Sequence, residues 1–208
     1  MATLDLGVLV SGRGSNLGAI LDAIADQQLE ARVRLVISNR ADAPALARAE
    51  RAGVATRVIS HRDFPTREAF DQALVDALGA AGAEWVVLAG FMRVLTPVFL
   101  RAFPGRVINI HPALLPAFPG THAQRQALDY GVKVTGCTVH LVDEGVDTGP
   151  IIGQRVVPIL DDDDEERLAA RILEREHQLL TEVLADLARG AWRVVPGADG
   201  QRARVVRT

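Results

Sequence analysis

Residues 106–123 read RVINIHPALLPAFPGTHA. An apolar strand pattern ends there in Asn109 and His111 and passes directly into a loop stiffened by Pro112, Pro116 and Pro119. Side chains alternate along a strand, so Val107, Asn109 and His111 share one side while Ile108 and Ile110 take the other. A core strand that finishes with an amide and an imidazole on one side needs a use for them. Open α/β sheets supply one, because they bind ligands at the carboxyl ends of their strands.

Working outward, short β-branched runs near 4–10, 32–38, 55–59, 85–89 and 106–110 alternate with helical periodicities near 16–28, 43–52, 66–81, 97–102 and 122–130. That alternation predicts an α/β fold: a Rossmann-like, mostly parallel sheet with helices on both faces. WVVLA at 85–89 has the unbroken apolar character of a strand buried on both sides. After Tyr130-Gly131, two long strand-like runs at 133–142 and 150–158 are joined only by DEGVDTG, which predicts an antiparallel hairpin extending the sheet. A helix over about 164–189 follows, and the tail from 191 reads as two short strands around Pro196-Gly197-Ala198-Asp199-Gly200. The expected organisation is a single domain over 1–190 and a short strand-turn-strand extension over 191–208, with no internal repeat.

The 208 residues are 49% apolar, enough for an ordinary globular core, and the formal net charge is -3. Lys and Arg are scattered, so no footprint for a nucleic-acid backbone exists and a small-molecule partner is expected. Cys137 is the sole cysteine. It allows no intrachain disulfide framework and no CxxC zinc pattern, and a reducing compartment fits best. The N-terminal MATLDLGVLVSG lacks a basic leader and its apolar run is too short to span a membrane, so a cytoplasmic protein with no membrane association is expected, as a monomer or homodimer. His61, His111, His122, His140 and His177 contain no i, i+4 pair and no HExxH or Cys/His ligand spacing, so no metal site is expected.

Four loops gather at the carboxyl edge of the expected sheet: SGRGSN (11–16), SNR (38–40), GFMRVL (90–95) and NIHP. Gly14, Ser15 and Asn16 open a helix directly after a strand. Glycines there let the backbone approach an anion, Ser15 suits an N-cap, and the helix N-terminus favours a phosphate. The alternative is a plain tight turn. A dinucleotide fingerprint fails because GxGxxG meets Leu17 where it needs glycine, and strand two ends in Ser38-Asn39-Arg40 without the acid that binds an NAD ribose. Arg40 keeps an NADP-dependent or nucleotide-binding reading open.

Asn109 can donate a hydrogen bond to a developing oxyanion, and His111 can donate a proton or stabilise negative charge. Against this stands a bland reading in which both merely satisfy loop backbone. Asp147 in the hairpin loop is the candidate partner: a carboxylate beside the imidazole would raise its pKa and keep it protonated near neutrality. Equally, Asp143, Glu144 and Asp147 suit solvated turn positions. In the last helix Leu168, Ile172, Leu179, Val183 and Leu187 form one stripe, and Glu176 falls in its middle. A charge so placed needs a partner, either a structural arginine or the hydroxyls of a ligand. Asp161 to Glu166 suit the helix dipole and are expected to form a solvated face.

Taken together, GxGSN after strand one, LAGFMRxL at 88–95, NIHPxLLPxFPGxHxxxQAL from 109 to 128, TGCTVHxVDxxxDTGPII from 135 to 152, and Glu176-His177 resemble the folate-dependent formyltransferases, in particular the branch acting on glycinamide ribonucleotide. The resemblance covers nearly the whole chain and loosens beyond about 190. It implies transfer of a formyl group from 10-formyltetrahydrofolate to an amine, with Asn109, His111 and Asp147 as the catalytic trio. It further implies that Gly14, Ser15 and Asn16 hold the phosphate of glycinamide ribonucleotide and Glu176 its ribose hydroxyls. Arg67 and Met92, Arg93, Val94 and Leu95 would contact the folate, with Asn109 reaching the reacting centre; no metal or nicotinamide is implied. Relatives acting on methionyl-tRNA, or hydrolysing the formyl-folate to formate, share these motifs and stay as alternatives.

Overall fold

The computed structural model describes residues 3–198 and 202–208. Its strands are β1 (Leu4–Val10), β2 (Ala31–Ser38), β3 (Thr56–Val58), β4 (Trp85–Leu88), β5 (Val107–His111), β6 (Val134–Leu141), β7 (Ile151–Pro158), β8 (Trp192–Val195) and β9 (Arg204–Arg207). The helices are α1 (Ser15–Ala25), α2 (Pro44–Arg51), α3 (Arg67–Ala80), α4 (Pro97–Ala102), α5 (Ala123–Tyr130) and α6 (Glu165–Ala188). The hydrogen-bonded order is β3-β2-β1-β4-β5-β6-β7, with β8 and β9 forming a separate two-stranded sheet. Pairing is parallel from β3 through β5 and antiparallel between β6 and β7. This is the mostly parallel, Rossmann-like sheet with an added hairpin that the alternation of strand and helix patterns predicts.

The chain forms two compact units, Met1–Asn109 and Ile110–Thr208. In the first, Val8, Leu9 and Val10 of β1 and Val86 and Val87 of β4 are all fully buried. Consecutive buried residues on one strand require cover on both sheet faces, which the crossover helices of parallel βαβ units provide. Leu17 and Ile20 of α1 and Leu74 and Leu78 of α3 are likewise fully buried, completing that core.

In the second unit β6 is buried from Thr135 to Leu141, whereas β7 is largely open to solvent. The cover for β6 is α6, which packs on both strands of the hairpin and buries Leu168, Ile172, Glu176, Leu179 and Val183 along one stripe. The acidic run before α6 departs from the expected solvated face. Asp164 caps the helix by accepting from the Arg167 amide at 2.8 Å. Asp163 is bound by the Arg171 guanidinium through contacts of 2.7 and 2.6 Å, its side chain 1% exposed, and that bond holds its carboxyl down at about 2. In the tail, β8 and β9 pair antiparallel as the strand-turn-strand pattern predicts, while Asp199 and Gly200 of the expected turn lie outside the described residues.

Candidate active site

In the first unit, the loop after β1 turns at Gly14, which adopts φ +70° and ψ 34° and is itself the N-cap of α1. Ser15 is the first helical residue and makes no side-chain cap bond, contrary to its expected capping role. The reason is steric. The turn needs a left-handed residue before the helix, and a Cβ at Gly14 would stand 2.5 Å from the Cβ of Ala45 and 2.9 Å from its Cα. The Ala45 amide also donates to the Gly12 carbonyl at 3.2 Å, which fixes the start of α2 against this loop. The first turn of α1 carries no acid, so no side-chain charge there offsets the positive end of the helix dipole. Asn16 is buried at this end.

The loop after β4 is pinned from three directions. The Met92 amide donates to Ser11 Oγ at 2.9 Å, and that hydroxyl donates to Asn39 Oδ1 at 2.7 Å. From α3, the Arg67 guanidinium donates to the Val94 carbonyl at 2.8 Å, and the Asp71 carboxylate accepts from the Thr96 amide. Burial pushes the Asp71 carboxyl up, opposed chiefly by that amide bond. Phe91 and Leu95 are buried, Arg93 is half-buried, and Met92 and Val94 stand 68% and 51% exposed between them. Two large apolar side chains are thus displayed to solvent on a restrained loop. Asn109 closes this unit, half-buried and opposite Leu88 in the β4–β5 ladder.

The second unit brings His111 and Asp147 together. His111 is 4% exposed, with Nδ1 3.3 Å from Asp147 Oδ2 and Nε2 2.8 Å from the Phe118 carbonyl. A carbonyl oxygen only accepts, so Nε2 carries a proton, and a proton on Nδ1 as well would satisfy the carboxylate. Asp147 Oδ2 also accepts from the Gly120 amide at 2.8 Å. Two residues of this cluster hold left-handed backbones without being glycine, Phe118 at φ 54° and Asp147 at φ 53°, a conformation that persists only where surrounding contacts enforce it. For Asp147 those contacts include an Asx turn: Asp143 Oδ1 accepts from the Gly145 amide at 3.1 Å and from the Thr148 hydroxyl at 2.6 Å.

The electrostatics correct one expectation. Burial pushes His111 below the ordinary histidine range, and the Asp147 carboxylate and Phe118 carbonyl, which pull it upward, do not restore it. The Asp147 carboxylate offsets only part of the desolvation that burial imposes on the ring. Asp147 itself lies below the usual carboxylate range. Burial acts upward on it and is outweighed by His140, the Gly120 amide and His111.

His140, Phe118 and Gly120 were not singled out from sequence. A lone histidine on an apolar strand reads as core, and the other two act through backbone atoms, which no residue pattern reports. The usable signal was that His140 and Asp147 flank one hairpin loop. Elsewhere in this unit, Glu176 lies on the buried stripe of α6, and its charge adds to burial in raising the Cys137 thiol to about 12. Among the described residues, no group of three or more His, Cys, Asp or Glu is placed to hold a metal ion, and no helix is long and apolar enough to cross a membrane.

A model of the formyl transferase family matches residues 5–184. The chain is 55% identical over 192 residues to the trifunctional purine biosynthetic protein adenosine-3 of Drosophila pseudoobscura pseudoobscura, covering 91% of this chain and 14% of that protein. Thus the chain spans a small part of the trifunctional relatives it matches, 15% in the case of the Drosophila melanogaster protein. To the phosphoribosylglycinamide formyltransferase of Escherichia coli strain K12 it is 43% identical over 202 residues, covering 96% of this chain and 95% of that one. Among solved structures, glycinamide ribonucleotide transformylase 1 from Symbiobacterium toebii matches with TM-score 0.92 and 50% identity, over 98% of this chain and 94% of that chain. On a family match that runs through both the Gly14 loop and the His111–Asp147 contact, the chain belongs to the formyl transferase family.

Proposed function

We propose that the chain transfers the formyl group of 10-formyltetrahydrofolate to the amine of glycinamide ribonucleotide, a step of purine biosynthesis. The observation that carries this reading is the 3.3 Å contact between His111, buried at the end of β5, and the half-buried Asp147 of the hairpin loop, in a member of the formyl transferase family. Near-full-length similarity to the Escherichia coli enzyme supports the choice of substrates.

The chemistry assigns each residue a task. The neutral amine attacks the formyl carbon, and the carbonyl π pair moves onto oxygen to give a tetrahedral oxyanion. Asn109 and His111 donate hydrogen bonds to that oxygen, each contributing roughly 3 kcal/mol to the transition state. For His111 this requires Nε2 to exchange the Phe118 carbonyl for the formyl oxygen. The intermediate collapses by breaking the bond to the folate nitrogen; the attacking amine loses one proton and the departing nitrogen gains one, so no net acid or base is consumed. Water held by Asp147 and His111 relays that proton between them, and the Asp147 carboxylate favours the charge that develops on the imidazole as it binds the oxyanion.

Gly14, Ser15 and Asn16 take the phosphate at the α1 N-terminus, and Glu176 takes the ribose hydroxyls. Met92 and Val94 seat the folate ring system, flanked by Arg93 and Leu95, while Arg67 holds their loop through Val94. Residues 1–190 act as the formyltransferase domain and 191–208 as its appendage. The reading calls for no metal, nicotinamide, nucleic acid or membrane.

The test follows the absorbance of 10-formyltetrahydrofolate with and without glycinamide ribonucleotide. Turnover that depends on the ribonucleotide is the expected result. Release of formate without it would replace the transferase with a hydrolase, and inertness toward the folate would overturn the reading.

A further inference from the structure

Asp147 presents two oxygens, and a different imidazole faces each. Oδ2 meets His111, and Oδ1 lies 3.5 Å from Nε2 of His140. His140 is 2% exposed and sits one residue before the end of β6. The β6–β7 register slips at Val139/His140, where Val139 pairs with Gly153 but His140 pairs with Ile151, passing over Ile152. Such irregularities raise local twist and re-aim a side chain that a regular ladder would direct elsewhere. The other ring nitrogen, Nδ1, faces the Leu141 carbonyl at 2.9 Å. Like Nε2 of His111, it therefore meets an acceptor, and the ring is fixed in its plane from behind.

Asp147 needs this second hold. Its backbone is left-handed at φ 53° in a loop whose Asp143, Glu144, Gly145 and Val146 are all exposed. The Gly120 amide and His111 both contact Oδ2, leaving rotation of the carboxylate about that oxygen to be stopped at Oδ1. Two residues earlier on β6, Thr138 does comparable work for the adjoining loop: its hydroxyl donates to the Ala113 carbonyl at 2.7 Å and accepts from the Leu115 amide at 3.1 Å. The end of β6 thus holds both the loop that follows His111 and the loop that carries Asp147.

We infer that His140 is a positioning residue: its ring, locked to the Leu141 carbonyl, fixes the carboxylate of Asp147 so that the opposite oxygen points at His111. The inference rests on the function proposed above but is separable from it. His140→Leu should lower kcat by about tenfold to a hundredfold, the scale of a displaced catalytic geometry, with little change in KM for either substrate. His140→Gln, which retains an amide donor at a similar reach, should recover most of the loss.

The decisive comparison is a double-mutant cycle. In an Asp147→Asn background, His140→Leu should have almost no further effect on kcat, because what it positions is already gone. Multiplying losses in the double variant, or wild-type turnover in His140→Leu with an unchanged melting temperature, would each overturn the inference. The same four proteins are also compared without substrates by following the titration of the His111 ring by NMR. A shift caused by His140→Leu that disappears in the Asp147→Asn background upholds the positioning role even if the ribonucleotide assay fails. Independent shifts reject it even if that assay succeeds.

Discussion

Replacing Gly14 with alanine tests the claim that the loop after β1 is built around one backbone conformation and one close approach. At φ +70° an L side chain costs roughly 1–2 kcal/mol. The new methyl would also stand 2.5 Å from Ala45 Cβ and 2.9 Å from Ala45 Cα, and the second of these atoms is backbone that cannot rotate away. Overpacking of that kind costs about 1–3 kcal/mol. Together the two give a loss of about 2–5 kcal/mol, a fall in melting temperature on the order of 5–15 °C for a chain of this size. Urea unfolding measures it directly. Gly53 is the control, because it has φ +72° and nothing within 4 Å of the added Cβ. Gly53→Ala should lose only the conformational part, about 1–2 kcal/mol. If Gly14→Ala and Gly53→Ala cost the same, the contact with Ala45 is not a constraint and the account of the loop is wrong. Calorimetry supplies the functional arm: α1 displaced by the methyl should bind glycinamide ribonucleotide more weakly while folate binding holds.

His111→Ala should lower kcat by at least about a hundredfold with the fold retained, since a positioned acid-base group contributes that much; near-normal turnover would remove His111 from the mechanism. By NMR His111 should titrate below the usual histidine range, and Asp147→Asn should move it lower still, because burial depresses it and the carboxylate opposes that effect; an upward move in the variant would reverse the assignment. Glu176→Gln should weaken binding of the ribonucleotide and spare the folate, and an equal loss of both would make Glu176 structural. For Asp163, held at about 2 against an ordinary 3.8, the stabilisation is complete above the unfolded-state value and is lost as pH falls toward the folded one. The stability gap between wild type and Asp163→Asn should accordingly stay level above about pH 4 and close by about pH 2, and a gap independent of pH would exclude the ion pair as its source.

The strand and helix order was legible because it rests on local pattern. Val86, Val87 and Leu88 read as a two-sided core strand and are one, and Glu176 stands on the buried stripe where the helical period places it. What escaped the sequence depends on distant partners. Ser15 is a good capping residue on intrinsic grounds, yet Ala45 forces the turn onto Gly14. The Asp163–Arg171 pair hides among five other acids that look alike in a row. The His111–Asp147 pairing could be suspected, but its electrostatic sign could not, since the direction follows from how deeply the loop buries the ring. Nothing in the sequence ties His140 to Asp147, because only the hairpin geometry brings the two together.

The pinned loop carrying Met92 and Val94 has a thermodynamic corollary. Ser11, Arg67 and Asp71 have already ordered its backbone during folding, so a planar ring that lands on the two side chains does not bear that entropy again. Association there should show a negative heat-capacity change from buried apolar area with little loop-ordering penalty. Cutting a single tether, as in Arg67→Met, would transfer that ordering cost to the binding step. In that variant a ligand of the proposed folate class would lose affinity through entropy while its contacts stayed the same.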